Sequence, residues 1–315
     1  FIMSLFVIGS SNTDLVLYMN HIPKIGETVV GAESTVIFGG KGANQAVSSK
    51  RAGADTKFIT QLGNDGFGDE LKKHFKKENL PGKYILTDKF KPSGVAHIFV
   101  SKKGENSIAV ASGSNGTLSF KKIEPFLSEI EKAKLVLIQF EIPFDTVKKI
   151  INFCNLKKIK LIVNPAPALE LSENILKNIW MITPNESESE ILTNIRVTDQ
   201  ESAVLAGKKI VSKGVQNCII TLGKNGSVWC TKKSTYIFKV PKINAIDTTA
   251  AGDVFNGYLA QGIINGSSLT EAILFSHAAS CLSVTIKGAQ TSIPSKEDAL
   301  SFLKKNKGFT FKKIK

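Results

Sequence analysis

Residues 134–165, KLVLIQFEIPFDTVKKIINFCNLKKIKLIVNP, contain a complete strand–helix–strand unit. The apolar runs KLVLIQF (134–140) and KLIVNP (160–165) flank FDTVKKIINFCNLKK (144–158), whose apolar residues recur at helical spacing. Strands that are apolar on both faces are typical of parallel sheets covered by helices on each side. The unit therefore predicts two parallel strands joined by a crossover helix.

The same alternation runs through most of the chain. Further apolar runs of strand length occupy 5–9, 57–63, 180–185 and 218–223, and further amphipathic segments occupy 69–79 and 201–214. Strand, helix and strand in repetition predict an α/β fold, a doubly wound and mostly parallel sheet flanked by helices.

Two segments, 14–38 and 93–111, break this rhythm. They contain β-branched, partly alternating residues, with turn signals at Pro23, Gly26, Gly31 and Gly104. Such segments favour antiparallel strands with one solvated face. We expect a core made of 1–13, 39–92 and 112–315, and a small antiparallel sheet that serves as a lid over a cleft or as the contact of a homodimer.

The composition is that of a globular protein. Of 315 residues, 42% are apolar and 22% are charged, and the apolar runs are far shorter than a membrane span. The four cysteines are scattered without metal-ligand spacing, and no secretory signal is visible, which favours a reduced, cytoplasmic setting without a membrane partner.

The net charge of +14 raises the question of a nucleic-acid partner. Only two of the 41 basic residues are arginines, and the lysines are spread along the chain, so no specific nucleic-acid binding is predicted. The densest cluster is the C-terminal KKNKGFTFKKIK, where we expect at most non-specific attraction to polyanions.

Polar residues follow the apolar runs, at the carboxyl ends of strands where open α/β sheets bind ligands. They are Asn12 and Asp14, Glu141, Asn164, Asn185 and Glu188, and residues 221–226. The chain lacks a GxxxxGK[ST] phosphate loop, and no GxGxxG follows a strand with an acid about 20 residues on, so the usual dinucleotide signature is absent.

The stretch DTTAAGDVFNG (247–257) places two carboxylates around small residues where a helix begins. Small side chains at Ala250, Ala251 and Gly252 let an anion approach the free amides of a helix N-terminus. Asp253 beside such a hole suits a general base, although it equally suits a capping acid. Asp247 suits a cation ligand or an ordinary turn residue.

The chain resembles the ribokinase-like (phosphofructokinase-B type) carbohydrate kinases from about residue 5 to 304, because it contains seven of their short motifs in the right order. The motifs are GSSNTD (9–14), FGGKGANQA (38–46), NPAPA (164–168), TPNESESE (183–190), TLGKNG (221–226), residues 247–257 and KGAQTSIP (287–294). The resemblance implies ATP-dependent phosphorylation of a sugar. The full GGKGANQA and the Ala-Ala-Gly-Asp variant point, within the family, to D-ribose phosphorylated at its 5-hydroxyl.

The resemblance also assigns roles to residues. Asp253 would be the catalytic base, with the amides of Ala250, Ala251, Gly252 and Asp253 as the anion hole. The sugar would be held by Asn12, Asp14, Gly40, Lys41, Asn44, Glu141 and Asp253. ATP would contact Asn185, Thr221, Gly223, Gly226, Gly252 and His277.

Two metal ions are implied in the same way. Glu188, in the N-x-x-E pattern with Asn185, would organise Mg²⁺ through water. A monovalent cation, K⁺, would be held by Asp247, Thr249, Ser283, Ile286, Gly288 and Ser292, in part through backbone carbonyls.

Some positions depart from the family pattern, and rival functions stay open. His277 stands where some relatives have Asn, and packing in the core is an equal interpretation; Ile286 replaces a common Arg. His21, His74 and His97 receive no role. The rivals are a sister kinase acting on 2-deoxyribose, fructose or a nucleoside, a non-catalytic sugar-binding regulator, and a nucleic-acid-binding module.

Overall fold

A ten-stranded sheet forms the centre of the protein. The computed structural model describes residues 4–314. Residues 1–3 and 315, which we expected to belong to the core, lie outside the described residues. Across the sheet the order of strands is β14-β13-β12-β11-β10-β9-β8-β1-β4-β5. Their bounds are β1 Ser4–Ile8, β4 Asp55–Gly63, β5 Ile85–Asp88, β8 Leu135–Ile138, β9 Lys160–Val163, β10 Met181–Ile182, β11 Asn217–Thr221, β12 Ser227–Cys230, β13 Thr235–Lys239 and β14 Thr310–Lys313.

Eleven α-helices are found in the described part of the chain. They are α1 Lys41–Arg51, α2 Gly66–Lys77, α3 Phe120–Ile123, α4 Leu127–Ile130, α5 Phe144–Leu156, α6 Glu173–Leu176, α7 Glu186–Thr193, α8 Gln200–Ser212, α9 Ala251–Ile264, α10 Leu269–Ser283 and α11 Lys296–Lys305. Between residues 4 and 314, no helix is long and apolar enough to cross a membrane.

The core has two halves, one on each face of the sheet. In β1, Phe6 and Ile8 pack into the half that α3–α8 cover, whereas Leu5 and Val7 pack into the half that contains α1, α2 and α9–α11. Side chains alternate across a strand, so a strand that is buried on both faces must be apolar throughout. The predicted doubly wound α/β sheet is confirmed.

The six apolar runs read from the sequence correspond to β1, β4, β8, β9, β10 and β11, and these strands, with β5, pair in parallel. Beyond β11 the sheet continues with the antiparallel strands β12, β13 and β14. The last of these lies within the basic C-terminal segment and is exposed along its whole length.

A separate four-stranded sheet, called the small sheet, has the order β3-β2-β6-β7. Its strands are β2 Asn12–Met19, β3 Glu33–Gly39, β6 Gly94–Ser101 and β7 Asn106–Ala111. The outer pairs are antiparallel, as predicted, whereas β2 and β6 in the centre run parallel because both enter the small sheet from the core, with Asn12 opposite Gly94.

The order of the main sheet reverses at β1, because β4 and β5 lie on one side of it and β8 to β11 on the other. Such a switch point opens a crevice at the carboxyl ends of the strands. Ser10 and Asn12 follow β1, and Glu141 follows β8, so the sequence-predicted polar residues lie at this crevice.

Candidate active site

Asp253 lies in the first turn of α9, and the chain enters this helix through a left-handed residue. Ala250 has φ 60° and ψ 7°, a conformation that L-residues other than glycine seldom adopt. At Gly252, an added Cβ would meet no other atom within 4 Å. The first amides of a helix have no partner inside it, so the N-terminus of α9 presents donors to open space.

The carboxylate of Asp253 is held by two amide side chains of α1. Asn44 Nδ2 donates to Oδ2 at 3.0 Å, and Gln45 Nε2 donates to Oδ1 at 2.9 Å. Asp253 is only 6% exposed, so this buried carboxylate depends on both bonds. Both oxygens have a fixed direction, which a general base requires.

Further amides hold Gln45 in turn. Gln139 Nε2 donates to Gln45 Oε1, and Gln45 Nε2 also donates to Asn164 Oδ1 at 2.9 Å. The opposite oxygen of Gln139 is buried without a hydrogen-bond partner and lies where a Cβ on Gly9 would clash with it. Residue 9 therefore has to be glycine for this network to form.

A second line of hydrogen bonds returns to the start of α9. Asn164 Nδ2 donates to the Thr183 carbonyl at 3.3 Å, Thr183 Oγ1 donates to Asn256 Oδ1 at 2.7 Å, and Asn256 Nδ2 donates to the Gly252 carbonyl at 2.8 Å. The sequence analysis gave no role to Gln45, Gln139 or Asn256. Their partners lie up to 208 residues away along the chain, and no local pattern reveals them.

Lys41 is the central positive charge of the site. Its pKa is raised because the carboxylate of Asp253, and less strongly those of Glu141 and Glu188, stabilise the ammonium against the effect of burial. Burial raises the pKa of Asp253, while Lys41 and the bonds from Asn44 and Gln45 lower it. A raised pKa brings a carboxylate closer to the range in which a base accepts a proton at neutral pH.

The residues expected to hold a sugar converge around Lys41. Glu141 accepts hydrogen bonds from Ser10 Oγ at 2.6 Å and from the Lys41 amide at 2.9 Å. Burial, together with the nearby Glu141 carboxylate, raises the pKa of Asp14 to about 7.

Close backbone packing completes this side of the site. Asn12 Oδ1 accepts from Asn115 Nδ2 at 2.8 Å. Gly40 has φ 88°, and a Cβ there would approach the Asn12 amide nitrogen to 2.8 Å, so both its conformation and its surroundings require glycine.

Two cavities meet at the N-terminus of α9. A polar cavity of about 210 Å³ is lined by residues that include Lys41, Asn185, Glu188, Thr221 and 250–253. A mostly apolar cavity of about 380 Å³ is lined by residues that include Thr221, Gly223, Gly226, Ala251, Gly252 and His277. Thr221, Ala251 and Gly252 line both cavities, so a molecule that spans them passes over the free helix amides.

His277 contributes an apolar surface to the larger cavity. Its Nε2 is hydrogen-bonded to Ser227 Oγ at 2.7 Å, and its ring lies 5.0 Å from that of Phe255. Burial lowers the pKa of His277 to about 3, so the ring is neutral at physiological pH. This arrangement favours packing over any charged contact.

Glu188 and Asn185 form a reciprocal cap at the start of α7. Asn185 Oδ1 accepts from the Glu188 amide at 2.9 Å, and the Glu188 carboxylate accepts from the Asn185 amide at 2.9 Å and from its side chain at 3.0 Å. Burial raises the pKa of Glu188, and the nearby Asp253 carboxylate raises it further. The bond from the Asn185 amide and the charge of Lys41 partly offset this rise. The Glu188 carboxylate faces the polar cavity, and such a group fits a divalent cation held partly through water.

Of the six residues expected to hold a monovalent cation, Ser283 is the last residue of α10, and the other five lie on two neighbouring loops. Asp247 links them, because its Oδ1 accepts from the Thr249 amide at 2.9 Å and its Oδ2 from the Gly288 amide at 2.8 Å. The Ser283 and Ser292 hydroxyls donate to the carbonyls of Ser280 and Ala289, and Ile286 is half exposed. Within residues 4–314, no group of three or more His, Cys, Asp or Glu is arranged as a metal site.

Known proteins match this chain over nearly their full length. The sequence profile of the pfkB family carbohydrate kinases matches residues 3–296. A ribokinase from Haemophilus influenzae is 41% identical over 300 residues, 95% of this chain and 98% of that protein. A deoxyribokinase from Salmonella typhi is 34% identical over 305 residues, 96% of this chain and 100% of that protein.

Among solved structures, the ribokinase of Arabidopsis thaliana complexed with ribose and ATP superimposes with a TM-score of 0.90 at 28% identity, covering 96% of this chain and 99% of that one. The profile match includes every strand of both sheets except β14, and it includes the segments that build the site. The chain therefore belongs to the pfkB family of carbohydrate kinases and is a phosphotransferase.

Proposed function

We propose that the protein transfers the terminal phosphate of ATP to the 5-hydroxyl of D-ribose and releases ADP. The observation that carries this proposal is the position of Asp253, whose carboxylate is oriented by Asn44 and Gln45 beside the open N-terminus of α9. A directed base next to an anion hole is the arrangement that phosphoryl transfer to a hydroxyl needs.

In the proposed reaction Asp253 accepts the proton of the 5-hydroxyl as the sugar oxygen bonds to the terminal phosphorus, and the bond to the leaving ADP oxygen breaks. The amides of residues 250–253 hold the negative charge of the transferring group. The Lys41 ammonium, stabilised by Asp253, Glu141 and Glu188, adds positive charge near the same point. Phosphoryl transfer needs positioning and electrostatics more than covalent help from the protein.

We assign the sugar to Asn12, Asp14, Gly40, Lys41, Asn44, Glu141 and Asp253, and ATP to the two cavities that meet at Gly252. Mg²⁺ would be held near Glu188 largely through water, and would neutralise charge on the phosphates. K⁺ would lie between the loops that Asp247 joins, where it would fix the backbone ahead of α9.

The small sheet would close over the sugar and exclude water, which otherwise competes as a phosphate acceptor. Asp14 lies on β2 of this sheet, so closure and sugar binding would involve the same strand. We propose that the same sheet forms the contact of a homodimer.

A second candidate substrate is 2-deoxyribose. The deoxyribokinase of Salmonella typhi aligns over 96% of this chain, so the fold and the base are compatible with a sugar that lacks one hydroxyl. Nucleosides fit less well, because Asp14 and Asn44 suit a sugar with neighbouring hydroxyls, whereas a nucleoside needs an apolar shelf for its base.

The test is ADP release from ATP with D-ribose, 2-deoxyribose, fructose or adenosine, with and without K⁺, beside an Asp253→Asn variant. We expect the highest kcat/KM with D-ribose and a fall of about 10³-fold or more in the variant. Preference for another sugar would retain the mechanism and replace the substrate. Sugar binding without turnover in the wild-type protein would instead indicate a regulator.

A further inference from the structure

A line of hydrogen bonds leads from Asp253 away from the substrate cavities to His74 on α2. Asn44 Nδ2 donates to Asp253 Oδ2 at 3.0 Å, Gln290 Nε2 donates to Asn44 Oδ1 at 3.1 Å, and His74 Nε2 bonds to Gln290 Oε1 at 2.6 Å. Asn44 and Gln290 are buried, so water does not substitute for these partners.

The direction of every bond in this line is fixed from one end. An ionised Asp253 only accepts, so Asn44 must present its NH₂ group there and its oxygen to the next residue. Gln290 must then present its own NH₂ to Asn44 and its oxygen to His74. The ring nitrogen Nε2 of His74 therefore carries a hydrogen, and a flip of the Asn44 or Gln290 amide breaks two bonds.

Gln290 is anchored independently of these side-chain bonds. Arg51 donates to the carbonyls of Gln290 and Ile293 at 2.9 Å each, and its guanidinium is also paired with Glu78. The Gln290 side chain can therefore be changed while its backbone stays in place.

The far end of the line touches the small sheet. The His74 ring lies 4.7 Å from the ring of Phe38 on β3, with 30° between their planes. The line of hydrogen bonds thus joins the proposed base to the junction between the small sheet and the core.

We propose that Gln290 is a positioning residue of the phosphoryl-transfer reaction: it orients Asn44, and through it the carboxylate of Asp253, while His74 orients Gln290. The inference rests on the proposed role of Asp253 as general base. It gives a function to His74, for which the sequence shows no pattern.

The charged groups around Asp253 and His74 determine in which direction the line of hydrogen bonds shifts the pKa of Asp253. Lys41 lowers the pKa of Asp253, Glu141 raises it, and the bond from Asn44 lowers it; Asp253 in turn acts on the pKa of Glu188. His74 faces Glu78, Arg51 and Lys77, and burial lowers its pKa, which favours the neutral ring. In that form the bond to Gln290 Oε1 requires the hydrogen on Nε2. Loss of Gln290 frees Asn44 to turn, weakens its bond to Asp253 and raises the pKa of the base.

The experiment compares Gln290→Met, Gln290→Glu and His74→Phe with the wild type. Methionine keeps the size of Gln290 but neither donates nor accepts strongly, and an ionised glutamate has no hydrogen for Asn44 Oδ1. Phenylalanine keeps the ring against Phe38 and removes the donor. The matched control is Thr291→Val, which removes a hydroxyl that donates to the Lys287 carbonyl in the same loop but lies outside the line.

We measure kcat against pH at saturating sugar, KM for ATP, and the thermal midpoint of each variant. We expect kcat to fall about tenfold in Gln290→Met and further in Gln290→Glu, with the acidic limb of the kcat profile moved to higher pH and KM for ATP within about twofold of wild type. His74→Phe should move the same limb in the same direction by less, and Thr291→Val should leave it unchanged.

An unchanged acidic limb in both Gln290 variants would overturn the proposal, even if kcat falls with the thermal midpoint, because that pattern marks a structural role alone. His74→Phe tests the line without altering the loop at 290, so poor folding of a Gln290 variant does not leave the question open. If Asp253→Asn remains active, the proposed base is wrong; if it is inactive while the Gln290 variants match wild type, only the positioning role is wrong.

Discussion

At the scale of the residue, Asp14 is the group whose ionisation we expect to govern sugar binding. Its pKa is raised to about 7 because partial burial disfavours the charged form and the Glu141 carboxylate lies nearby. Only the ionised form accepts hydrogen bonds from sugar hydroxyls through both oxygens, and it is lost as pH falls through 7. Between pH 8 and pH 6 the dissociation constant for D-ribose should therefore rise about tenfold.

Titration calorimetry at several pH values measures this dependence, with Asp14→Asn as the matched variant. The asparagine side chain does not titrate, so the variant should bind ribose more weakly at pH 8 and with a flat pH dependence. A variant that keeps the tenfold change would assign it to another group.

At the scale of the element, the crossing of α1 and α9 sets the geometry of the base. Asn44 and Gln45 on α1 hold Asp253 on α9, and Gly257 lies where the helices touch: a Cβ there would lie 2.5 Å from Ser48 Cβ and 2.7 Å from the Ser49 amide nitrogen. Because a backbone atom is involved, Gly257→Ala must separate the helices. We expect the free energy of unfolding to fall by about 1–3 kcal/mol and kcat by about tenfold or more.

Chemical denaturation and steady-state kinetics check this prediction. Gly66→Ala is the control, because Gly66 is also a helical glycine but a Cβ there meets nothing within 4 Å. The control should keep its activity and its stability. If Gly257→Ala loses stability while kcat stays at the wild-type value, the helix crossing does not determine the orientation of the base.

At the scale of the element, the sequence predicted some strands of the main sheet and not others. Continuous apolar runs and helical periodicity were sufficient for six of the seven parallel strands of the main sheet, because burial on both faces imposes that pattern. The short edge strand β5, ILTD, has no such run. Strands β12 and β13 carry mixed residues between short turns, and β14 lies in a lysine-rich segment, so neither periodicity nor polarity marked them.

In the site, Asp253 and Asn44 were predicted because they fall within short motifs, and the structure brings them into contact. Gln139, Asn256 and Gln290 were missed, since a buried amide is recognised only by its partners. Gln290 meets Asn44 across 246 residues of chain, a separation that only the folded structure closes.

At the scale of the whole molecule, the small sheet exposes an apolar surface that the core does not cover. Strand β7 is exposed throughout, and its Ile108 and Val110 are 55% and 54% exposed. Val110 pairs with Ala96, which pairs with Asp14, so these side chains share the face that carries the sugar-binding carboxylate. Exposed apolar patches on a sheet mark contact surfaces.

We therefore expect the wild-type protein to sediment with the mass of two chains, and Ile108→Asp/Val110→Asp to sediment as one chain. Burying two unpaired carboxylates at the contact should weaken association by roughly a hundredfold or more. Phe90→Asp is the control, because Phe90 is 92% exposed but lies outside the small sheet, and this variant should stay dimeric.

Because the shared face includes Asp14, the monomeric variant should also show a raised KM for the sugar at an unchanged KM for ATP. If the double variant remains dimeric, the contact of the homodimer does not lie on this face. If the wild-type protein is a monomer, the proposed homodimer is wrong.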